Sequence, residues 1–497
     1  MRGILAIFLG LSLLYLGLGY VRSESGLIHA FDTGIYLQIL SNILAGRGFA
    51  SSIVQEPQFL AHHFQPIVVL LLPFHALSPQ TWMLLAIGWI AALFSCIYLI
   101  RTLPRLELAS ASSACLAALA LFLHPTLSSR MYYSFVPEVL ALPPLTYLAC
   151  QLAAARKNRT HGVLLILALF AVGLCKENYW LVSAWVAALL AGRSEGRDRK
   201  IFGSAALLFL GIMLFLFLKW MPEHSQMKQY YGLSYFSHEG IPTEWGLLGR
   251  VLGAALNLLR SESLVTGATV LFVIPCALIV LGNPWTTLAT LPTLGLVMAA
   301  SNDQIHDLTN HYLLSALPFL AVSTATGWER LHTRITAAKL RFYGSLLVVL
   351  IPAAFTFMHH SGWVFQLLFA SERMDWRLRD ATTLLKKQLA PDAVILIDGQ
   401  LQPFFHDLPR VRIIQAFQGN PSPLTPEDRA AATHVITAND LSALTNCDEV
   451  KADAQGLVRY DLDQFLAYCR WLKSQTVTRT EYLPERLIHL KIENPQR

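Results

Sequence analysis

The sequence predicts an α-helical polytopic membrane protein that ends in a small α/β domain, and three observations carry that expectation. First, 54% of the 497 residues are hydrophobic and only 14% are charged, where an average globular domain is about a quarter charged. Second, mean hydropathy is +0.46, which excludes a cytosolic enzyme, a disordered chain and a coiled coil. Third, charge is unevenly placed: residues 371–497 hold 33 of the 70 Asp, Glu, Lys and Arg side chains. The chain therefore divides into a membrane region, residues 1–360, and a water-soluble tail, residues 371–497. The net charge of +6 is spread thinly over hydrophobic sequence. Nucleic-acid binding needs Lys and Arg clustered on a polar face, so no nucleic-acid partner is expected.

The first apolar run, Gly3 to Val21, follows Arg2 and has no convincing small-residue cleavage site after it. It reads as an uncleaved first span, since about 20 apolar residues cross a bilayer core. Ten more are expected near 80–100, 109–125, 136–155, 161–176, 179–192, 201–220, 264–282, 286–301, 311–328 and 342–360, about eleven in all. The stretch 64–78 is apolar but short and bounded by prolines, and fits a re-entrant or interfacial helix better than a span.

The basic residues test this count. Arg101/Arg105, Arg156/Lys157/Arg159, Arg193/Arg197/Arg199/Lys200 and Arg330/Arg334/Lys339/Arg341 all fall on the same side as Arg2 if 64–78 does not span. Positive residues favour the cytoplasm, which places the N-terminus inside and the tail outside. A bacterial plasma membrane location follows as an expectation. The outer face then receives the first loop (22–63), His124 to Tyr133, Lys176-Glu177-Asn178, a loop at 221–262 and Ser301 to His311. Any chemistry belongs there, because the inner loops are short and merely basic.

Asp32 opens a partly amphipathic stretch, with apolar Ile35, Leu37, Ile39, Leu40, Ile43 and Leu44, that suits a helix lying in the interface. A carboxylate there is either an N-cap or a general base or metal ligand at the water–lipid boundary. His62 and His63 precede the re-entrant stretch, and as neighbours they point to different faces, which argues against both binding one metal. Lys176 and Glu177 interrupt apolar sequence between Gly162 and Gly192. Charges at that depth cost ~2.5–3.5 kcal/mol and usually serve a function, so Lys176 is a candidate phosphate ligand. Glu138 needs a partner, for which Arg130 and Lys176 are available on the same side. Asn302, Asp303, His306, Asp307, Asn310 and His311 match no metal-binding spacing and read as the rim of a pocket.

No Walker A motif and no GxGxxG after a strand appears, which argues against an ATP-driven pump, and no internal repeat marks a transporter. No cofactor is assigned, a divalent metal staying open. In the tail, 393–397, 411–414, 433–437 and 487–492 read as short strands and 461–474 as a helix. Five cysteines lie in apolar runs, and Cys447 and Cys469 lie in the tail, where an oxidising compartment would permit a disulfide without requiring one.

Several segments together resemble the opening of an uncharacterised bacterial family of multi-spanning membrane proteins related to the GT-C glycosyltransferases. They are Phe31-Asp32-Thr33-Gly34-Ile35 with Gln38, Gly46-Arg47-Gly48, and His63-Phe64-Gln65-Pro66-Ile67. Phe135-Val136-Pro137-Glu138, Lys176-Glu177-Asn178, and Gln402-Pro403-Phe404-Phe405 with Arg410 follow in the family's order, so the resemblance covers nearly the whole chain. It implies a GT-C-like fold, a polyprenyl-phosphate-linked sugar as donor, and an outer acidic residue acting as base or metal organiser, for which Asp32 is the matching position. The chain departs from the family pattern at Ser134 and Val136, where an acid and a histidine are usual, and at Asn178, where an acid is favoured. These departures weigh against a metal-assisted mechanism.

The expected activity is transfer of a sugar from an isoprenoid-phosphate donor, entering from the membrane lipid, to an acceptor on the outer face. Asp32 would be the base, Lys176 and Arg130 would hold the phosphate, and Glu138, Glu177, His63 and His311 would complete the site. The rival readings are a lipid or small-molecule transporter or flippase that uses Lys176, Glu177 and Glu138 for binding or ion coupling, and a non-enzymatic membrane scaffold.

Overall fold

A computed structural model of the chain describes residues 2–24, 30–53, 58–132, 134–154, 162–225, 238, 241, 246–301, 303–306, 308, 311–369, 377–390, 393–397, 399–413, 426–437, 471–472, 474–483 and 487–492. Helices coincide with every expected span, beginning with Arg2–Glu24. Among the described residues three helical segments are long and apolar enough to cross a bilayer: Thr81–Arg105, Gly196–His224 and Ala338–Met358. Others are interrupted, each for a local reason. The expected span at 264–282 passes through a π turn at Thr269–Val273 and then through left-handed Cys276 and Ala277. The span at 136–155 starts as a 3-10 turn, Pro137–Ala141, before the helix Leu142–Ala153, and Pro143 and Pro144 sit in that helix's first turn.

Two glycines allow the closest helix crossing. A Cβ on Gly282 would collide with the Ser323 carbonyl, and one on Gly327 with the Leu278 carbonyl, so the Leu317–Arg334 helix and the 278–282 turn meet backbone to backbone. Ser323 and Thr286 seal that contact with a hydroxyl hydrogen bond of 2.7 Å.

The segment after His63 forms a 3-10 turn, Pro66–Leu71, and a short helix, Leu72–Leu77. Within the loop expected at 221–262, helix Gly246–Asn257 exposes Leu248, Val251, Leu252 and Leu256, the i, i+3, i+4, i+8 spacing of one apolar helical face.

The tail folds around a five-stranded sheet: β1 (Ile395–Ile397), β2 (Val411–Ile413), β3 (His434–Thr437), β4 (Val477–Leu483) and β5 (Leu487–Ile492). Their order is β2-β1-β3-β5-β4. β1 is parallel to β2 and β3, while β5 runs antiparallel to β3 and β4. β1 is buried on both faces: Ile395 and Ile397 pack with Leu378, Leu385 and Phe405, and Leu396 packs with Val435 and Leu490. β4 was not expected, because Val477-Thr-Arg-Thr-Glu-Tyr-Leu carries no apolar alternation strong enough to announce it. Cys447, Cys469 and all but three residues of the expected helix at 461–474 lie outside the described residues.

The tail docks on the first loop. Arg379 pairs with Glu24 at 2.6 Å, Ser52 Oγ donates to the Val411 carbonyl at 2.8 Å, and Arg412 donates to the Ser52 carbonyl at 3.0 Å. Ser41 Oγ lies 2.9 Å from His75 Nε2 and 2.8 Å from His406 Nδ1. His406 Nε2 meets the Pro79 carbonyl at 3.1 Å. A carbonyl only accepts, so the His406 proton is on Nε2, its Nδ1 accepts from Ser41, and His75 donates to Ser41.

Candidate functional site

Two similar breaks in the chain build the site. Gln65 precedes Pro66 and Val136 precedes Pro137, and both are held outside the helical region, at φ −127° and −134°. The ring of a proline disfavours helix in the residue before it. Each proline then starts a 3-10 turn, and these two turns bring His63 and Glu138 toward one region. Lys176 and Glu177 come from the turn between helices Gly162–Gly173 and Tyr179–Gly192. That turn is tied to the re-entrant segment by the Ile67 N–H, which donates to the Leu174 carbonyl at 3.2 Å.

Asp32 stands in the first turn of helix Ala30–Leu44 and is not its N-cap. Its Oδ2 accepts from Arg130 Nη1 at 3.2 Å and from Ser134 Oγ at 3.3 Å, while Arg130 also donates to Ser134 at 2.6 Å. Thr33 Oγ1 accepts from the Phe135 N–H at 2.9 Å, which pins this helix to the Phe135-Val136-Pro137-Glu138 segment. Arg130 is buried, whereas the Asp32 side chain keeps 33% of its exposure.

Lys176 Nζ donates to Glu138 Oε1 at 2.5 Å and approaches His311 Nε2 at 3.0 Å. It also lies 5.4 Å from the centre of the Tyr312 ring. Glu138 is 1% exposed, so its charge depends on that ammonium. His63 Nδ1 lies 3.0 Å from Glu177 Oε1, and the Phe64 N–H donates to Glu177 Oε2 at 3.0 Å. Burial pushes the Glu177 carboxyl up, but His63 and then Lys176 bring it below its ordinary value. Tyr36 donates to Gln65 at 2.8 Å. Burial first, then the carboxylates of Glu138 and Asp32, hold its phenol well above the ordinary range, so it stays a donor.

All seven residues singled out from sequence therefore meet in one region, and of the two partners open to Glu138 it is Lys176 that pairs with it. Asp32 takes Arg130, Glu138 takes Lys176 and His311, and Glu177 takes His63. His311 lies within electrostatic reach of Lys176, Arg130 and His63, which ties the three pairs together. Tyr36, Gln65, Ser134 and Tyr312 also belong to the site. The first two stand within or beside the motifs quoted above, but nothing in the pattern singled them out. Of the polar run at 302–311, His306 turns to the Ala300 carbonyl at 3.0 Å, and Asn302, Asp307 and Asn310 lie outside the described residues. The donor set does not fit a divalent cation. Among the described residues no three His, Cys, Asp or Glu side chains converge, and each site carboxylate is already held by a cationic partner or an imidazole.

Comparison with known proteins places the fold. A family model described as a predicted membrane protein (DUF2079) matches residues 24–432. No curated protein sequence matches the chain. Among solved structures, ArnT from Cupriavidus metallidurans bound to undecaprenyl phosphate superposes with a TM-score of 0.54 at 9% identity, over 99% of this chain and 98% of that one. The same protein in the apo state gives 0.54 at 12% identity, over 98% of both chains. The arabinofuranosyltransferase AftD from Mycobacteria gives 0.49 at 14% identity, over 99% of this chain and 40% of its own. Identities this low establish the fold alone. It is a GT-C glycosyltransferase fold, with a small C-terminal sheet, in a membrane protein.

Proposed function

The chain belongs to the DUF2079 family of predicted membrane proteins, and from that premise we propose that it transfers a sugar from a polyprenyl-phosphate donor to an acceptor at the outer membrane face. One observation carries this reading: on a GT-C fold, Asp32 stays accessible beside the buried cation Arg130, and a second buried cation, Lys176, sits against Glu138. A transferase of this kind needs a base for the acceptor and positive potential for the departing phosphate. The undecaprenyl phosphate bound to the ArnT structure supports a lipid phosphate as the donor's carrier here.

Asp32 takes the proton of the acceptor hydroxyl. The acceptor oxygen bonds to the anomeric carbon as the bond from that carbon to the phosphate oxygen breaks, and the lipid phosphate leaves with the electron pair. Attack from the side opposite the phosphate inverts the anomeric carbon. Arg130 fixes the orientation of Asp32, with Ser134 bridging the two. Lys176, held against Glu138, supplies positive potential as charge develops on the phosphate. The N-terminus is cytoplasmic in this reading, and the tail, docked on the first loop, shares the outer face with the site.

Asp32→Asn tests the base. Asn is nearly isosteric and preserves an acceptor for Arg130, so insertion and folding should be retained. Loss of the proton acceptor should lower transfer by about 10²–10⁴-fold at matched expression. Full complementation by Asp32→Asn would remove the base and restore the transporter reading.

A further inference from the structure

Among the described residues three carboxylates of the site each hold a basic side chain: Asp32 holds Arg130 at 3.2 Å, Glu138 holds Lys176 at 2.5 Å with His311 at 3.4 Å, and Glu177 holds His63 at 3.0 Å. Arg and Lys carry their charge throughout the physiological range, whereas imidazole gains and loses its charge between pH 5 and 8. The cluster with His63 protonated is therefore one charge more positive than the cluster with His63 neutral. A lipid phosphate brings a negative charge of its own, and the first state admits it at lower electrostatic cost.

We propose that His63 is the proton-carrying residue of the site: protonated, it admits the phosphate group of the lipid, and Glu177 positions it for that task. This rests on the transferase reading above. The His63 side chain is 25% exposed while Glu177 is 6% exposed, so the imidazole lies between the buried carboxylate and the accessible region. Glu177 is itself fixed at its second oxygen by the Phe64 N–H, leaving Oε1 for Nδ1. A buried carboxylate that orients an imidazole through Nδ1 is the arrangement that general acid–base sites use to set a tautomer and stabilise the imidazolium. In the reaction, the proton on His63 passes to an oxygen of the phosphate as the bond from that phosphate to the anomeric carbon breaks. Asp32 meanwhile collects the acceptor's proton, so charge balances across the step.

The groups that face His63 are spread over several elements. Glu177 and Lys176 come from the turn at 174–178, and His62 is its chain neighbour, with ring centres 4.7 Å apart. His311 comes from the 3-10 turn His311–Leu313, and Tyr36 from helix Ala30–Leu44. Glu223 and His224 lie on the segment that packs on Phe59–His62. Of these, His62 is held well below its ordinary value, by burial first and then by the charges of His63 and Lys176, so it stays neutral.

The test is binding of undecaprenyl phosphate to the full-length protein in nanodiscs between pH 5.5 and 9, with inorganic phosphate as a second probe. Wild-type affinity for the lipid should fall about tenfold per pH unit above the titration midpoint, as expected for one linked proton. His63→Gln should flatten that limb to whatever slope the phosphate's own titration leaves. His63→Lys, charged at every pH tested, should retain tight binding at the alkaline end. Glu177→Gln should move the limb to lower pH by about 1–3 units, since it removes an opposite charge beside the imidazole. Inorganic phosphate competing with the lipid along the same pH limb would support recognition of the phosphate group. A wild-type limb reproduced in His63→Gln, with a thermal-unfolding midpoint matching wild type, would overturn the assignment and leave the transferase reading intact. No lipid binding by wild type at any pH would overturn both.

Discussion

Glu138 and Lys176 show how much a single buried pair can hold. Both are nearly inaccessible, and their contact is 2.5 Å. Removing one partner strands a charge away from water, which costs about 3–5 kcal/mol, whereas replacing both with apolar residues of similar volume is often neutral. Glu138→Ala should therefore lower the thermal-unfolding midpoint in detergent sharply, and Glu138→Leu with Lys176→Met should recover most of it while transfer stays abolished. A double variant as unstable as the single one would show that the pair's neighbours, not its charge balance, hold the site. At this scale the sequence was informative about which residues matter, because a charge inside apolar sequence is conspicuous. It offered Lys176 as a partner for Glu138 but did not reveal the other two pairs. Asp32 and Arg130 are 98 positions apart and His63 and Glu177 are 114 apart, and only the fold brings such residues together.

Among the elements, the docking of the tail on the first loop carries a pH dependence. His75 and His406 both bind Ser41, and burial holds each down to about 4, with Asp407 partly offsetting the effect at His406. Lys386, which pairs with Asp407 at 2.6 Å, and the Glu24–Arg379 pair are the other charges at this junction. When the two surfaces separate, each histidine returns to its ordinary pKa of about 6.5. The undocked state then binds more protons, so the stabilisation is fully present above about 6.5 and is lost as pH falls through about 4. Hydrogen exchange across 399–413 should show protection at pH 7 that disappears by about pH 4.5, and Ser41→Ala should shorten that protection even at pH 7. Protection unchanged across this range would contradict neutral histidines at the junction. The helices themselves were legible from apolar length, and so were four of the five strands. What composition could not show was where the spans break, because a π turn or a left-handed residue such as Ala277 answers to its three-dimensional neighbours. Nor did a loop reading of 221–262 foresee the Gly246–Asn257 helix, whose apolar face is apparent only once its periodicity is read as an interfacial element.

For the whole molecule, the docked tail and the first loop belong on one side of the membrane, and the proposed reading of the basic loops puts that side outside. A reporter fused after Arg379 should accordingly be active in an extracytoplasmic assay, and a cytoplasmic readout would invert the orientation and every outer-face role with it. The GT-C fold was legible through the order of short motifs along the chain, whereas the sugar and the acceptor are chosen by surfaces that no such motif encodes. The most direct measurement is mass spectrometry of lipid extracts from a strain lacking this protein. A polyprenyl-phosphate-linked sugar should accumulate there, return to the parental level when the wild-type chain is restored, and remain elevated with Asp32→Asn. A lipid profile indistinguishable from the parent strain would contradict transfer from a lipid-phosphate donor.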